Sequence, residues 1–250
     1  MVLVIILGAF SSILLQCKRV VGAAEAVNRA TSRIQAIGQV IHLDMGRINK
    51  GAVLKISSGG DAMLIVTGDF SQSRTSESDG VGSAIYYSVV GNAAGHGDIL
   101  RRASFVLSKD GTGDDVISKS LQDIRTSSDA GAVIGAIEAK LTGDLSAPAV
   151  TFEEVSASWP ILDYGITDLV IEWTDGSISG TGDNAEMGWY GNNPPAKYSS
   201  VSSSGFLWTA KHVGLWPKAI RVTFTLTNDD PQLPDELRVQ TCQYICEIVH

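Results

Sequence analysis

The sequence predicts an α+β fold, in which one long N-terminal α-helix precedes a largely antiparallel, β-rich head. Residues 1–15 form an apolar run, and apolar residues then recur at spacings of three, four or seven up to about residue 49, as in an amphipathic helix. From Gly51 onward, short β-like runs alternate with clusters of Gly, Ser and Asp. We therefore expect two units, a transmembrane and assembly helix over residues 1–50 and a head over residues 51–250.

The apolar run at the N-terminus predicts a membrane anchor. It is interrupted only by Ser11 and Ser12 and is followed by Lys18 and Arg19. Fifteen helical residues span about 22 Å, which is less than the roughly 30 Å of a hydrocarbon core. A cleaved secretory signal is the alternative, but no basic segment precedes the run and no small-x-small site follows it. The residues expected to contact lipid are Val2, Leu3, Val4, Ile5, Ile6, Leu7, Phe10, Ile13, Leu14 and Leu15.

The residues after the anchor continue the same helix with one apolar side. Polar residues such as Glu25, Arg29 and Gln39 occupy its other faces. A helix ending near residue 49 would be on the order of 70 Å long, so its own head could cover only part of it. The remainder needs lipid or other subunits, although a simple juxtamembrane spacer would show the same pattern. The predicted assembly face consists of Val20, Ala24, Val27, Ile34, Ile37 and Ile41.

Eight runs predict the strands of the head. In residues 218–229, Ile220, Val222, Phe224 and Leu226 alternate with polar residues, as in a sheet that is buried on one side. A short helix is expected within residues 114–124. The predicted strands are residues 52–57, 63–70, 83–90, 99–108, 149–159, 166–176, 218–229 and 238–249.

The segment at residues 176–216 is rich in Gly, Ser and Asn but carries several aromatic residues. Aromatic side chains in so long a loop usually attach it to the sheet, and they can also mark a contact surface. Within residues 186–216, the candidate contact residues are Trp189, Tyr190 and Trp208. An anchored binding module, such as one that stacks carbohydrate on these rings, is therefore the alternative to a filament subunit.

The composition argues against nucleic-acid binding and catalysis. The chain has 27 acidic and 19 basic residues, and the basic ones are scattered rather than clustered. The histidines, His42, His96, His212 and His250, do not share a metal-binding spacing, and no G-x-S-x-G elbow is present. We expect no enzymatic activity, no cofactor and no small-molecule substrate.

Two smaller features carry weak signals. Asp110, Asp114 and Asp115 could wrap a calcium ion, but their spacing does not fit an EF-hand, and a solvated acidic turn is the alternative. Cys242 and Cys246 would lie about 13 Å apart on one strand, which is too far for a disulfide bond. We expect both cysteines to be small core residues, and the three cysteines, with Cys17, do not indicate a disulfide framework.

The order of the segments resembles the minor pseudopilins of bacterial type II secretion, especially the J-type subunit, and the related minor prepilins of type IV pili. The resemblance covers nearly the whole chain. It includes a leucine-plus-aspartate helix end, a tyrosine-bearing strand followed by an L-x-R strand, an aromatic strand with a tryptophan turn, and a closing strand pair. These segments read IHLDMGRI, SAIYYSVV, DILRRASFVL, DLVIEWTDG, MGWYG, LWPKAIRVTFTLTNDD and CQYICEIV.

The resemblance implies a pilin-like fold and a structural role. Such a subunit would be anchored once in the inner membrane, with its head in the periplasm, and would pack through its helix against other minor pilins at a filament tip. The sequence departs from the family because it lacks the processing glycine and the Phe-Thr-Leu-x-Glu motif. We expect Met1 to be an internal start or a truncation point, because five further residues would extend the apolar segment to the roughly 20 residues that a bilayer requires.

Overall fold

The protein has an α+β fold, with a long N-terminal helix followed by mostly antiparallel sheet, as the sequence predicts. Several predicted features lie outside the residues that the structure describes, among them the strand at 149–159, His96, His250, Asp114 and Asp115. A computed structural model describes residues 2–48, 51–73, 76–90, 99–113, 116–127, 130–143, 161–179, 185–191, 205–210, 212, 214–228, 233 and 238–248.

The first helix, α1, spans Val2–Met45 without interruption. At 1.5 Å per residue it is about 66 Å long. It ends earlier than the predicted end near residue 49, because the chain turns at Gly46 and Arg47. The Arg47 and Ile48 N–H groups donate to the carbonyls of Asp44 and Met45, 3.2 and 3.0 Å away, so the last carbonyls of the helix are satisfied by tight turns.

The larger sheet has seven strands and is antiparallel except for one short pair. Its order is β12-β1-β2-β5-β6-β7, and β8 also pairs with β6. A small hairpin, β3 with β4, lies between β2 and β5 in the chain. The strands named here are β1 (Val53–Ser57), β2 (Ala62–Thr67), β3 (Ser71–Gln72), β4 (Asp79–Gly80), β5 (Ser83–Val90), β6 (Ile99–Leu107), β7 (Val116–Ile117), β8 (Ile161–Tyr164) and β12 (Gly205–Trp208).

The smaller sheet has three antiparallel strands in the order β14-β13-β9. The pair β13 and β14 keeps one register over nine residue pairs. The pair β13 and β9 shifts register between Thr223 and Thr225, where Asp168 adopts a φ of 55°. These strands are β9 (Ile166–Thr174), β13 (Ala219–Thr227) and β14 (Val239–Glu247), and the chain also forms the short pair β10 (Ile178–Ser179) and β11 (Glu186–Met187).

Two hydrophobic clusters hold these layers together. One cluster joins the C-terminal half of α1 to one face of each sheet, and it includes the fully buried Trp173, Trp208 and Phe224. The other covers the opposite face of the larger sheet with the two short helices α2 (Leu121–Thr126) and α3 (Ala130–Gly143). The larger sheet is therefore buried on both faces, and the second half of α1 belongs to the core of the head.

Some local predictions need correction. Within residues 114–124, Val116 and Ile117 form β7 and not a helix, because they pair with β6. Helix α2 starts only at Leu121, after a capping box in which Ser120 and Asp123 bond to each other's backbone. Helix α3 was not predicted. The segment at 176–216 is also not one continuous loop, since it contributes β10, β11 and β12.

Candidate membrane and assembly surface

From Ile6 onward, the N-terminal part of α1 presents its apolar side chains to the outside, while the side chains of the predicted anchor residues Val2, Leu3, Val4 and Ile5 lie outside the described part of the structure. Ile6, Leu7, Phe10, Ile13, Leu14 and Leu15, all predicted to contact lipid, are between 54% and 61% exposed. The helix is long and apolar enough to cross a membrane, and its most apolar window has no residue buried inside the protein. Because burying each such side chain is favourable by about 1.5–3 kcal/mol, this surface is stable only against lipid or other apolar chains.

The exposed apolar surface continues beyond the basic residues that follow the anchor. Val20 is 69% exposed and Val21 is 56% exposed, while Ala24 is exposed and Val27 is half-buried. These residues lie past Lys18 and Arg19, the charged pair expected at the membrane edge. The helix therefore carries an uncovered apolar patch, Val20, Val21 and Ala24, between its anchor and its head.

The rest of the predicted assembly face is used by the head itself. Ile37 and Ile41 are 2% and 1% exposed and belong to the core cluster that contains both sheets, and Ile34 packs against that cluster. Ala26 and Ala30, which were not predicted, are buried as well. The prediction of one continuous assembly face therefore needs correction. Its first residues, such as Val20 and Ala24, are exposed, whereas Ile37 and Ile41 are buried against the head.

A close contact fixes α1 against the smaller sheet. The hydroxyl of Tyr244, on β14, donates a hydrogen bond to the carbonyl of Ile34 at 2.5 Å. The ring crosses the helix at Gly38, where an added Cβ would lie 2.1 Å from the Cε1 atom of Tyr244. Only glycine leaves room for this crossing, so Gly38 sets how closely the strand approaches the helix.

A buried ionic cluster fixes the end of α1 against the larger sheet. The Asp44 carboxylate, 3% exposed at its side chain, accepts two hydrogen bonds from Arg102, at 2.6 Å from Nε and 2.8 Å from Nη2. Tyr87 donates a third hydrogen bond to Asp44 Oδ2. The two donors lie on the neighbouring strands β6 and β5, whose register pairs Arg102 with Tyr87. One helix end and two strands thus meet at a single carboxylate.

The surroundings of this cluster keep both of its donors, Tyr87 and Arg102, protonated. Burial and the charge of Asp44 raise the pKa of Tyr87 above the ordinary tyrosine value, so the hydroxyl remains a donor. Burial alone would lower the pKa of Arg102, but its hydrogen bonds to Asp44 and the charge of Asp44 raise it. At neutral pH the Tyr87 hydroxyl therefore keeps its proton and the Arg102 guanidinium keeps its charge. Its three residues occur in the quoted segments IHLDMGRI, SAIYYSVV and DILRRASFVL, yet sequence reasoning did not bring them together.

Two of the three aromatic residues predicted to form a contact surface, Trp208 and Tyr190, belong to the core or pack against it. Trp208 is fully buried, and its Nε1 donates to the Leu215 carbonyl at 2.9 Å. Tyr190 is half-buried, with its ring centroid 4.9 Å from that of the buried Trp173. Trp189 stacks on the guanidinium of Arg221, 4.5 Å from the ring centroid. The three rings do not form one exposed platform, so the carbohydrate-binding alternative loses its predicted site.

The remaining chemical candidates do not assemble into a site within the described part of the chain. Asp110 is exposed, and no three His, Cys, Asp or Glu side chains in that part converge on a position for a metal ion. A groove of about 300 Å³ beside β1 holds Lys55 and Glu138, which pair with each other at 2.5 Å. The charges of Lys55 and Glu138 therefore neutralise each other in this groove.

The two C-terminal cysteines occupy the positions expected of them. Cys246 is buried and Cys242 packs against the same core cluster, and neither forms a disulfide bond. Burial raises the pKa of both thiols, so both stay protonated at neutral pH. Cys17 is exposed on α1.

Comparison of the chain with protein-family models, with curated proteins and with solved structures finds no match.

Proposed function

We propose that this protein is a minor subunit of a pilin-like filament, related to pseudopilins, which the N-terminal half of α1 anchors in the inner membrane with the head in the periplasm. In this role the exposed apolar side of α1 packs against the helices of sister subunits. The protein acts through assembly and has no catalytic activity. The resemblance of its segments to minor pseudopilins and prepilins motivates the choice of family.

One observation carries the proposal: α1 is a single rod whose first half is apolar and uncovered while its second half is built into the core of the head. An anchor that only tethers a soluble domain needs no such continuity, because a flexible linker would suffice. A rod fixed at one end to the head presents its apolar side at a defined angle. Defined presentation is what side-by-side packing of helices requires.

The position of the uncovered patch supports contact with protein as well as lipid. Val20 and Ala24 follow the basic pair Lys18 and Arg19, so a membrane whose edge lies at that pair leaves them outside its hydrocarbon core. An apolar patch in water is a place where another chain binds. The helices of sister subunits, anchored in the same membrane, meet this patch at the same height.

The test is a single charge on the patch. We expect Val20→Asp to leave the head folded, because Val20 is 69% exposed and outside the core. The variant should still enter the membrane but should co-purify poorly with the subunits encoded beside its gene. Burying one unpaired carboxylate between packed helices costs several kcal/mol, so recovery should fall by at least about tenfold.

Ser32→Asp is the matched control. Ser32 is exposed on the same helix, about 18 Å further along the helix axis than Val20 and level with the head. It adds the same charge away from the patch, so assembly should continue. If the Val20 variant assembles as well as the Ser32 variant, α1 does not pack through this face and the proposal is wrong.

A further inference from the structure

The smaller sheet has an open edge at β14. In the order β14-β13-β9, β14 pairs only with β13 among the strands that the structure describes. Its nine residues, Val239–Glu247, make this edge long. The other edge, at β9, is partly covered, because Trp173 exchanges backbone hydrogen bonds with Tyr190 and Ile171 donates to Gly60. Within the described part of the chain, the uncovered hydrogen-bonding capacity of this sheet therefore lies on β14.

The ladder pattern identifies the backbone groups that point outward. Asn228 donates to the Arg238 carbonyl, and Ile248 donates to the Lys218 carbonyl, each at 2.8 Å. In an antiparallel pair, hydrogen-bonded residues alternate with residues that face away, so even-numbered residues of β14 bond to β13. The outward N–H and C=O groups consequently belong to Val239, Thr241, Gln243, Ile245 and Glu247.

The side chains of the same five residues lie on the exposed face of the sheet. All five are exposed, with Val239 at 56% and Ile245 at 53%, whereas the even-numbered residues lie on the inner side with Tyr244 against α1. Proteins protect open edges with proline, lysine, bulges or short strands. Val239–Glu247 has no proline or lysine, and its pairing with β13 has no register shift. The edge is thus fit to receive another strand.

A second copy of the chain does not fit this edge. Two identical edges form a closed pair only when they run antiparallel, about a two-fold axis perpendicular to the sheet. Helix α1 lies along the sheets, since its buried residues run from Ala26 to Met45. The two-fold axis would turn the second α1 to point the opposite way, and two anchors could not enter one membrane from the same side.

We propose that an extended segment of a different subunit adds to β14 as a fourth strand of this sheet. The inference rests on the proposed function in that the neighbour is anchored in the same membrane. Glu247 is the one charged residue of β14, and Val239 and Ile245 are its exposed apolar residues. Opposite-charge and apolar cross-strand pairs stabilise a sheet, so the segment carries a basic residue facing Glu247 and β-branched or aromatic residues facing the other two.

Hydrogen exchange of single amides tests the strand addition directly. The full chain is compared alone in detergent and co-purified with the subunits encoded beside its gene. The amides of Val239, Thr241, Gln243, Ile245 and Glu247 should exchange fast in the chain alone and slow by more than about tenfold in the complex. The amides of Gln240, Cys242 and Tyr244 already bond to β13, so they should be slow in both samples and report that the sheet is folded.

Two pairs of variants test the same edge by binding. Thr241→Pro removes an outward N–H group and leaves the hydrogen bonds to β13 intact. In this variant the neighbour should no longer slow the exchange of the outward β14 amides, whereas in Thr241→Val it should still do so. If the proline variant fails to fold, Ile245→Lys replaces it. Its control is Val170→Lys, which adds the same charge to an exposed residue of β9, on the opposite edge of this sheet.

Three results would overturn the inference. The five amides could exchange equally fast with and without the neighbour, they could be slow in the purified monomer because the chain covers its own edge, or they could become slow only as the chain alone dimerises. Failure of the proposed function gives a different pattern. In that case Val20→Asp assembles normally, whatever the amides of β14 do.

Discussion

Replacing Arg102 by Met isolates the contribution of the ionic cluster at the end of α1. The substitution keeps a long apolar side chain but removes both hydrogen bonds to the Asp44 carboxylate. Among the described residues, Asp44 would then keep Tyr87 alone as a side-chain donor while remaining buried. Removing one partner of a buried ion pair costs about 3–5 kcal/mol, because the other charge is left without compensation. We therefore expect the free energy of unfolding to fall by about 4 kcal/mol.

Urea denaturation of the full chain in detergent micelles would measure this change. Tryptophan fluorescence reports it, since Trp173 and Trp208 are buried in the same core cluster as α1. Arg47→Met is the control. Its ion pair with Asp69 is 3.9 Å long, and the two side chains are 48% and 36% exposed, so its loss should cost less than about 1 kcal/mol.

A double variant distinguishes the cost of leaving Asp44 unpaired from the cost of replacing the Arg102 side chain. Asp44→Leu combined with Arg102→Met leaves no unpaired charge at the site, so it should be more stable than Arg102→Met alone. The reasoning would be refuted if Arg102→Met cost no more than Arg47→Met. It would also be refuted if the double variant lost at least as much stability as the two single variants together.

Two further predictions concern the packing of α1 and the response to alkaline pH. Gly38→Ala should destabilise the chain by about 1–3 kcal/mol in the same denaturation assay, because its Cβ would collide with the Tyr244 ring. Gly135→Ala, in α3, adds a Cβ that would meet no other described part of the protein within 4 Å, so it should be neutral or stabilising, and equal effects of the two substitutions would contradict this. Burial, followed by the charges of Glu138 and Asp61, raises the pKa of Tyr86 from 10.0 to about 12. The folded state then holds the proton more tightly, so the stability that Tyr86 contributes is complete below pH 10.0 and is lost as the pH rises towards about 12. Tyr86→Phe should flatten this decline in denaturation midpoints measured between those pH values, and an unchanged decline would contradict the assignment.

The sequence was most informative where a periodic pattern extended over many residues. The alternation in β13 placed Ile220, Val222, Phe224 and Leu226 on the buried side, and the structure confirms all four. The long helix was equally clear, because its apolar spacing continued over many turns. Such patterns are local, and the chain folds locally as they indicate.

The sequence was least informative where the outcome depends on distant residues. Tyr87 and Arg102 lie 43 and 58 positions after Asp44 in the chain, and no local pattern indicates that the three residues converge. The spacing of Val20 and Ile37 on α1 is equally compatible with a free or a covered face, and only the position of the sheets distinguishes them. Helix α3 was missed because its small and glycine-containing sequence, AGAVIGAIEAKLTG, carries a weak helical pattern.

Because α1 contains no proline and its second half is hydrogen-bonded to both sheets, the described contacts hold the head in one orientation relative to the N-terminal half of α1. Any leaning of the apolar half within a bilayer is therefore carried directly into the position of the head. Between residues 10 and 45 the helix is about 52 Å long, so a typical tilt of about 20° displaces its C-terminal end sideways by about 18 Å. In the proposed filament role, the thickness of the bilayer would then influence which neighbouring subunits the head can contact.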